Sequence, residues 1–160
     1  MKLWAKNKDN NSPSGDGGII EQFTVGKDRE FDLLLAPFDV LGNIAHAKML
    51  AAVGLLTNEE AELLSKELRA IYKNTQSIDD SRFTIHDNVE DVHSQVEFLL
   101  TEKLGDTGKK IHSARSRNDQ VSTDLRLWTR ESIDRVDRLL LDLQKAFVGR
   151  CDRDRDVILP

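Results

Sequence analysis

Apolar residues recur at steps of three and four along most of the chain, and this spacing predicts an all-α fold. The segment 36–53 is predicted to be a helix that stops at Gly54. Its inward-facing residues are predicted to be Val40, Leu41, Ile44, Ala47 and Ala51. A second helix is predicted to open at the capping-box pattern Thr57–Glu60 and to run to about Tyr72. Its inward-facing residues are predicted to be Leu63, Leu64, Leu68 and Ile71.

A third helix is predicted to be capped by residues 87–90 and closed by Gly105. Its apolar stripe consists of Val92, Val96, Leu99, Leu100 and Leu104. The polar residues 73–82 are predicted to form a loop, and residues 19–24 a short helix. Residues 7–18 are rich in Asn, Ser, Gly and Asp, which is typical of a flexible arm.

The last predicted helix is unusually long, because no Pro or Gly interrupts the chain between Asp119 and Gly149. Its broad apolar face consists of Leu125, Trp128, Val136, Leu139, Leu140, Leu143 and Phe147. A helix of roughly 30 residues spans about 45 Å, so it needs neighbours to bury that face. The alternative is that part of the face packs on the preceding helices of the same chain. We place the boundary between the two predicted domains near Lys110–Ser113.

Composition narrows the class of protein. The 160 residues are enough for one ordinary core. The 23 Lys and Arg against 28 Asp and Glu give a net charge of −5, which argues against nucleic acid or an anionic membrane as partner. We find no apolar run long enough to span a bilayer and no signal peptide in residues 1–11. Cys151 is alone, which fits a reducing compartment, and no metal-ligand spacing occurs, so we predict no metal site.

Residues 112–120 read H-S-A-R-S-R-N-D-Q and concentrate polar chemistry just before the long helix. Arg115 and Arg117 carry planar forks that match a carboxylate with two hydrogen bonds. Asn118 or Asp119 stands at the predicted N-cap, so free backbone N–H groups would point to the same place. These parts describe a site for a small, multiply charged acid. The alternative is a solvated, capped loop.

This stretch, continued by residues 121–128, resembles the H-[ST]-G-R-S-R-N-D-Q-x-x-T-D-L-[RK]-L segment of the argininosuccinate lyases, which belong to the fumarase/aspartase superfamily. Further matching segments are Lys2–Trp4, Phe23–Asp32, Ile44–Leu50 and Glu90–Ser94. The resemblance implies a cytoplasmic homotetramer without cofactor or metal. It also implies reversible β-elimination of argininosuccinate to arginine and fumarate in arginine biosynthesis.

The resemblance also implies a domain organisation: a flexible arm over 1–18, a small helical N-terminal domain over 19–112, and the first long helix of a central helical bundle over 113–160. In the family, the His and the mobile-loop Ser assigned to proton transfer lie in segments that would follow Pro160. We therefore expect no catalytic residue in these 160 residues, and an inactive, truncated chain.

Substrate binding is expected around the motif. The elimination places charge on a substrate carboxylate, which preorganised donors stabilise. Arg115, Ser116 and Asn118 have suitable donor groups, and Asn118 is the residue we expect to contact substrate directly. Arg115 would anchor either a carboxylate or the loop. Arg117 either joins them or holds the loop to Asp119 or to a neighbouring helix.

Asp91 and His93 form a second candidate constellation, which the resemblance places in the active-site wall. The alternative for His93 is a structural residue whose hydrogen bonds are satisfied. We assign His112 to loop architecture, and we find no argument for chemistry at either His46 or His86.

Three departures from the family pattern concern binding. Ala114 replaces a usual Gly and would be strained if that position needs φ above zero. Gly26 replaces a frequent substrate-binding Ser, and residues 5–7 lack the family's Gly-Gly-Arg. Two alternative functions stay open: another fumarate-producing lyase of the superfamily, and a non-catalytic structural or interaction module on the same scaffold.

Overall fold

The computed structural model describes residues 28–76, 83–86 and 89–158. The helices are α1 (Asp28–Ala52), α2 (Asn58–Thr75), α3 (Val92–Leu104), α4 (Asp106–Lys109) and α5 (Arg117–Arg153), with a 3-10 turn at Lys110–His112 before α5. No strand occurs among these residues, so the predicted all-α class is confirmed.

Two sets of expectations fall at the ends of the chain. The predicted arm over 1–18 and the short helix over 19–24 lie outside the described residues. Pro160, after which we expect the family's proton-transfer residues, also lies outside the described residues. The absence of a catalytic acid or base from this chain therefore stays a prediction.

Helix α1 is longer than predicted and buries a slightly different face. It begins at Asp28 and ends at Ala52, and Pro37 lies inside it. Its buried residues are Ala36, Asp39, Val40, Asn43, Ala47 and Leu50. These positions follow the three- and four-residue steps of one helical face. The predicted inward residue Leu41 is instead 41% exposed, because the true stripe includes two polar residues that a purely apolar pattern leaves out.

Helix α2 begins where the capping box was predicted. The Thr57 side chain accepts a hydrogen bond from the Glu60 backbone at 3.2 Å, and the Glu60 side chain accepts one from the Thr57 backbone at 3.1 Å. Its core residues are Leu64, Leu68 and Ile71. The inward assignment of Leu63 was wrong, since that side chain is 48% exposed. The helix continues to Thr75, so the first residues of the predicted loop are helical.

Helix α3 is capped by Asp91, whose side chain accepts from the Ser94 backbone at 2.8 Å. The predicted cap over 87–90 was therefore wrong, although residues 87 and 88 lie outside the described part. The helix ends at Gly105, as expected. A Cβ added at Gly108 would lie 2.5 Å from the backbone of Leu100. Helix α4 can therefore pack on α3 only because residue 108 is a glycine.

The chain divides into two units, one ending at Leu125 and the other beginning at Arg126. In the first unit α1, α2, α3 and the 3-10 turn enclose the apolar core. The second unit is the remainder of α5 with the residues after it. Apolar side chains exposed by more than half there include Ile133, Val136, Leu139, Leu140, Leu143, Phe147 and Val148. The boundary expected near residue 113 stays a prediction.

Within the described part of the chain one helix meets the length and composition of a membrane span, so the expectation that none would was too strong. The segment Glu30–Ala52 has 23 residues, and an 18-residue window within it has a mean hydropathy of 1.2. A core helix passes the same test, and this one carries the buried polar residues Asp39 and Asn43. A single such helix is weak evidence for a membrane.

Candidate functional site

The loop before α5 turns at Ala114, which has φ of 59°. The left-handed conformation is costly for any residue with a Cβ. The backbone at Ala114 is therefore strained, as predicted for a positive φ at this position. The preceding carbonyl, that of Ser113, accepts a hydrogen bond from His46 Nε2 at 2.8 Å. Burial lowers the pKa of His46, as do the charges of Arg115 and His112, although the Ser113 bond opposes them. A neutral His46 on α1 thus anchors the loop.

The start of α5 differs from the prediction. The Oδ2 atom of Asp119 accepts from the Ser116 backbone at 2.8 Å and from the Ser116 hydroxyl at 2.9 Å. The Ser116 Oγ in turn accepts from the Asp119 backbone at 3.4 Å, so Ser116 is the N-cap and Arg117 the first helical residue, and placing the cap at Asn118 or Asp119 was wrong. The two bonds from Ser116 lower the pKa of Asp119. Asn118 lies in the first turn with an exposed side chain, and that side chain makes no hydrogen bond within the described part of the chain.

Arg117 joins the start of α5 to the start of α3. Its NH1 lies 2.6 Å from Asp91 Oδ2 and 3.9 Å from Glu90 Oε2. Its NH2 donates to Ser94 Oγ at 2.9 Å. Of the interpretations left open for Arg117, this geometry corresponds to holding the loop against a neighbouring helix. Asp91, a second predicted site residue, is the partner in that contact.

A buried polar cluster lies where α1, α3 and α5 meet, and Asp39 is its centre. Asp39 Oδ1 accepts from His93 Nδ1 at 2.8 Å and from Gln120 Nε2 at 3.3 Å. Asp39 Oδ2 accepts from Asn43 Nδ2 at 2.9 Å. The side chains of these four residues are all buried. One carboxylate thus receives a hydrogen bond from each of three helices.

Arg115 reaches this cluster from the loop. Its NH2 donates to Asn43 Oδ1, and its buried Nε has no hydrogen-bond partner among the described residues. Burial lowers the pKa of the Arg115 guanidinium, while the charges of Asp39, Asp124 and Glu97 oppose that change. An arginine stays charged even so, because its ordinary pKa lies far above neutral pH.

Asp124 completes the electrostatics of the cluster. Its Oδ2 is buried without a hydrogen bond among the described residues and lies 3.8 Å from His93 Nδ1. Burial and the negative charge of Asp39 raise the pKa of Asp124 to about 7, against the opposing charges of His93 and Arg115. Burial disfavours a charged His93, but the hydrogen bond and charge of Asp39 outweigh it, so the pKa of His93 is raised.

Ligand atoms of Asp39, His93 and Asp124 all lie within 4.8 Å of one another, close enough to hold a metal ion. The three residues are far apart in sequence, so the spacing of potential ligands along the chain, which predicted no metal site, does not bring them together. The cluster has another means of balancing charge. The Arg115 guanidinium and His93, whose pKa is raised by Asp39 although burial opposes it, lie beside the two acidic side chains, and His93 Nδ1 already bonds to Asp39. The arrangement is therefore that of a charge-balanced polar core.

A cavity of about 310 Å³ lies beside the cluster, between α1 and the first turns of α5. Its walls are formed by Asp39, Gly42, Ala45, His46, Met49, Arg115, Asp119, Gln120, Thr123 and Asp124. The volume suits a small-molecule ligand. Of the six predicted binding residues only Arg115 lines it. The other five, Asp91, His93, Ser116, Arg117 and Asn118, are not among the residues of its walls.

Comparison with known proteins supports the resemblance of the motifs. A family model described as lyase matches residues 18–160. The chain is 50% identical over all 160 residues to argininosuccinate lyase of Parabacteroides distasonis and 49% identical to that of Bacteroides thetaiotaomicron, covering 34% of each. It is 49% identical over 130 residues, 81% of the chain, to argininosuccinate lyase of Rhodopirellula baltica, covering 28% of that protein. The chain thus spans about a third of the length of these relatives, and it belongs to the lyase family whose model it matches.

Proposed function

We propose that the complete gene product containing this chain is an argininosuccinate lyase, which cleaves argininosuccinate reversibly to arginine and fumarate in arginine biosynthesis. The observation that carries the proposal is the identity of about half of all residues to argininosuccinate lyases across the whole chain. The geometry agrees with it, since the loop holds a charged Arg115 beside the N-terminus of a long helix.

The chemistry asks for donors that are fixed before the reaction. A base removes a proton from the carbon next to a carboxylate, the guanidinium nitrogen leaves, and negative charge gathers on that carboxylate. Preorganised donors usually supply the largest part of the rate enhancement for such a step. We assign the acid and the base to no residue of this chain, and place both in segments that would follow Pro160.

We assign direct substrate contact to Asn118 and Arg115. The Asn118 amide is exposed and free to donate, and Arg115 has donor groups beyond the one that Asn43 occupies. Ser116 is a weaker candidate, because its hydroxyl is engaged by Asp119. Asp91, His93 and Arg117 act around the site by holding α3, α5 and the loop together.

We further propose a cytoplasmic homotetramer. The apolar residues that the second unit exposes are arranged along one long helix, as in a helix that completes a bundle with other copies. The partners of the site are then argininosuccinate, arginine and fumarate, and we propose no nucleic-acid or membrane partner.

The test uses the purified complete gene product with argininosuccinate, following fumarate by its ultraviolet absorbance. We expect cleavage and the reverse synthesis. Asn118→Asp should lower kcat/KM at least about a hundredfold, because a donor amide becomes a like charge facing an anion. Asn58→Asp is the matched control, since Asn58 is an exposed residue in the first turn of α2. Fumarate released from malate, aspartate or adenylosuccinate instead would favour another lyase. No turnover with any of these substrates would favour a non-catalytic role.

A further inference from the structure

Asn43 connects the buried cluster to Arg115, in the loop before α5, through the two ends of one amide. Its Nδ2 donates to Asp39 at 2.9 Å, and its Oδ1 accepts from Arg115. An amide has a donor end and an acceptor end, whereas a carboxylate only accepts and a guanidinium only donates. The carboxylate of Asp39, which accepts from Asn43, therefore determines which way the Asn43 amide faces, so that the amide presents its acceptor end to Arg115.

Arg115 depends on that acceptor for its direction. The bond to Asn43 is the one hydrogen bond that the described residues give its guanidinium, and its buried Nε has none. The side chain nevertheless forms part of the cavity wall. Because a single hydrogen bond orients the guanidinium, a change in the Asn43 acceptor can change the direction in which Arg115 points.

Asp39 is itself held firmly. Besides Asn43 it accepts from His93 on α3 and Gln120 on α5, and its side chain is only 1% exposed. We propose that Asp39 is a positioning residue, which aims the Arg115 guanidinium at the substrate carboxylate by fixing the polarity of the Asn43 amide. The inference rests on the proposed function, in which Arg115 binds that carboxylate.

The test is a swap of carboxylate and amide in the complete gene product. In Asp39→Asn, the new amide can accept from His93 and Gln120 only by turning its donor end toward Asn43. The Asn43 amide must then flip and present a donor to Arg115, so the guanidinium turns away. Displacement of a positioned group can cost about a hundredfold in rate, and we expect a loss of about that size in kcat/KM. The double variant Asp39→Asn/Asn43→Asp restores an acceptor facing Arg115 and should recover about tenfold or more of the loss.

Gln95→Met is the matched control. Gln95, on α3, is buried like Asp39, but its side chain accepts from the His86 backbone and not from Arg115. It should lower stability and leave kcat/KM unchanged. The proposal is overturned if Asp39→Asn keeps wild-type kcat/KM, or if the double variant is no better than the single one, because a merely structural role would not be rescued by the swap.

Two further measurements keep the outcomes distinct. If the wild-type protein cleaves no argininosuccinate, the proposed function fails, and crystal structures of the variants decide the positioning alone. An Arg115–Asn43 contact retained in Asp39→Asn would then contradict it. If Asp39→Asn does not fold, Asn43→Ala cuts the link while leaving the bonds from His93 and Gln120 to Asp39. It should show the same loss of kcat/KM, and unchanged kcat/KM would overturn the proposal.

Discussion

One carboxylate, that of Asp91, joins the starts of two helices. Its Oδ1 accepts from the Ser94 backbone at 2.8 Å and caps α3, while its Oδ2 lies 2.6 Å from NH1 of Arg117 at the start of α5. Both residues were expected to bind substrate. Their mutual contact shows a second role, which is to set the distance between the first turns of α3 and α5.

We expect Asp91 and Arg117 to be energetically coupled. In a double-mutant cycle, Asp91→Ser keeps a good N-cap but removes the charge, and Arg117→Ala removes the fork. The coupling energy from urea unfolding should be about 1 kcal/mol and should shrink as salt is added. The same cycle on Lys109 and Asp106, which are both largely exposed, should show no measurable coupling. Coupling no larger for Asp91 and Arg117 than for that control pair would contradict the structural role.

Ala114→Gly should stabilise the protein. The backbone there has φ of 59°, which glycine adopts without the Cβ clash. We expect the free energy of unfolding to rise by about 1 kcal/mol. Ala45→Gly, at an exposed position inside α1, should lower it by about 0.5–1 kcal/mol. If both variants lowered stability equally, the turn at Ala114 would carry no strain.

The cap of α5 can be separated from the binding role of Asn118. Ser116→Ala should lower the free energy of unfolding by about 1 kcal/mol, because it removes the N-cap hydroxyl. Asn118→Ala should change stability little, since its side chain makes no hydrogen bond in the described part of the chain, and should act on kcat/KM instead. Chemical denaturation and steady-state kinetics measured on both variants test this division. A loss of stability in Asn118→Ala but not in Ser116→Ala would mean that Asn118 is the N-cap.

Stability should fall as the pH rises from about 4 to about 7. Burial and Asp39 raise the pKa of Asp124 from 3.8 to about 7, so the folded protein holds this proton more tightly than the unfolded chain. That contribution is complete below pH 3.8 and disappears as the pH approaches 7, at up to about 1.4 kcal/mol per pH unit. The pKa of His93 is raised by Asp39 although burial opposes it, so its contribution is lost in the same direction at the upper end.

The measurement is the free energy of urea unfolding across that range. Asp124→Asn, which cannot ionise, should flatten the dependence. Asp137→Asn, at an exposed position of α5, should keep the wild-type slope. An unchanged slope in Asp124→Asn would mean that this carboxyl does not titrate in the folded protein near pH 7.

The exposed apolar residues of α5 should cause self-association. Apolar patches above a few hundred Å² are uncommon on stable monomers. We expect light scattering to give a molar mass that rises with protein concentration, and Leu140→Glu, on that face, to lower it. Arg130 is two residues from Trp128 and therefore lies on the other side of the helix, so Arg130→Gln should have little effect on the molar mass. A concentration-independent monomer would contradict the proposed assembly.

The helical architecture was largely readable from the sequence, because it depends on local signals. The Thr57 capping box, the stops at Gly54 and Gly105 and the stripe of α3 are short-range patterns, and the structure confirms them. The N-cap of α5 was misplaced because several of its residues, Ser116, Asn118 and Asp119, are all good caps. The residue in use is identified by the bond from the Asp119 backbone to Ser116 Oγ.

The polar cluster could not be derived from the sequence in the same way. Asp39 and Asp124 are 85 residues apart, and only the packing of three helices brings them together. One signal was available: Asp39 and Asn43 stand on the same helical face as the buried Val40 and Ala47. A polar residue on such a face must have a buried partner, although which partner it has is decided by tertiary structure.

The meeting of three helices at Asp39 has a consequence for how sharply the sequence specifies its fold. Apolar faces slide past each other at little cost, because dispersion contacts have no direction. Hydrogen bonds from Asn43, His93 and Gln120 to a single carboxylate can all be made in one register only. The cluster therefore selects one packing of α1, α3 and α5. If apolar residues replaced the whole cluster, we expect the protein to lose a single well-ordered structure before it loses stability.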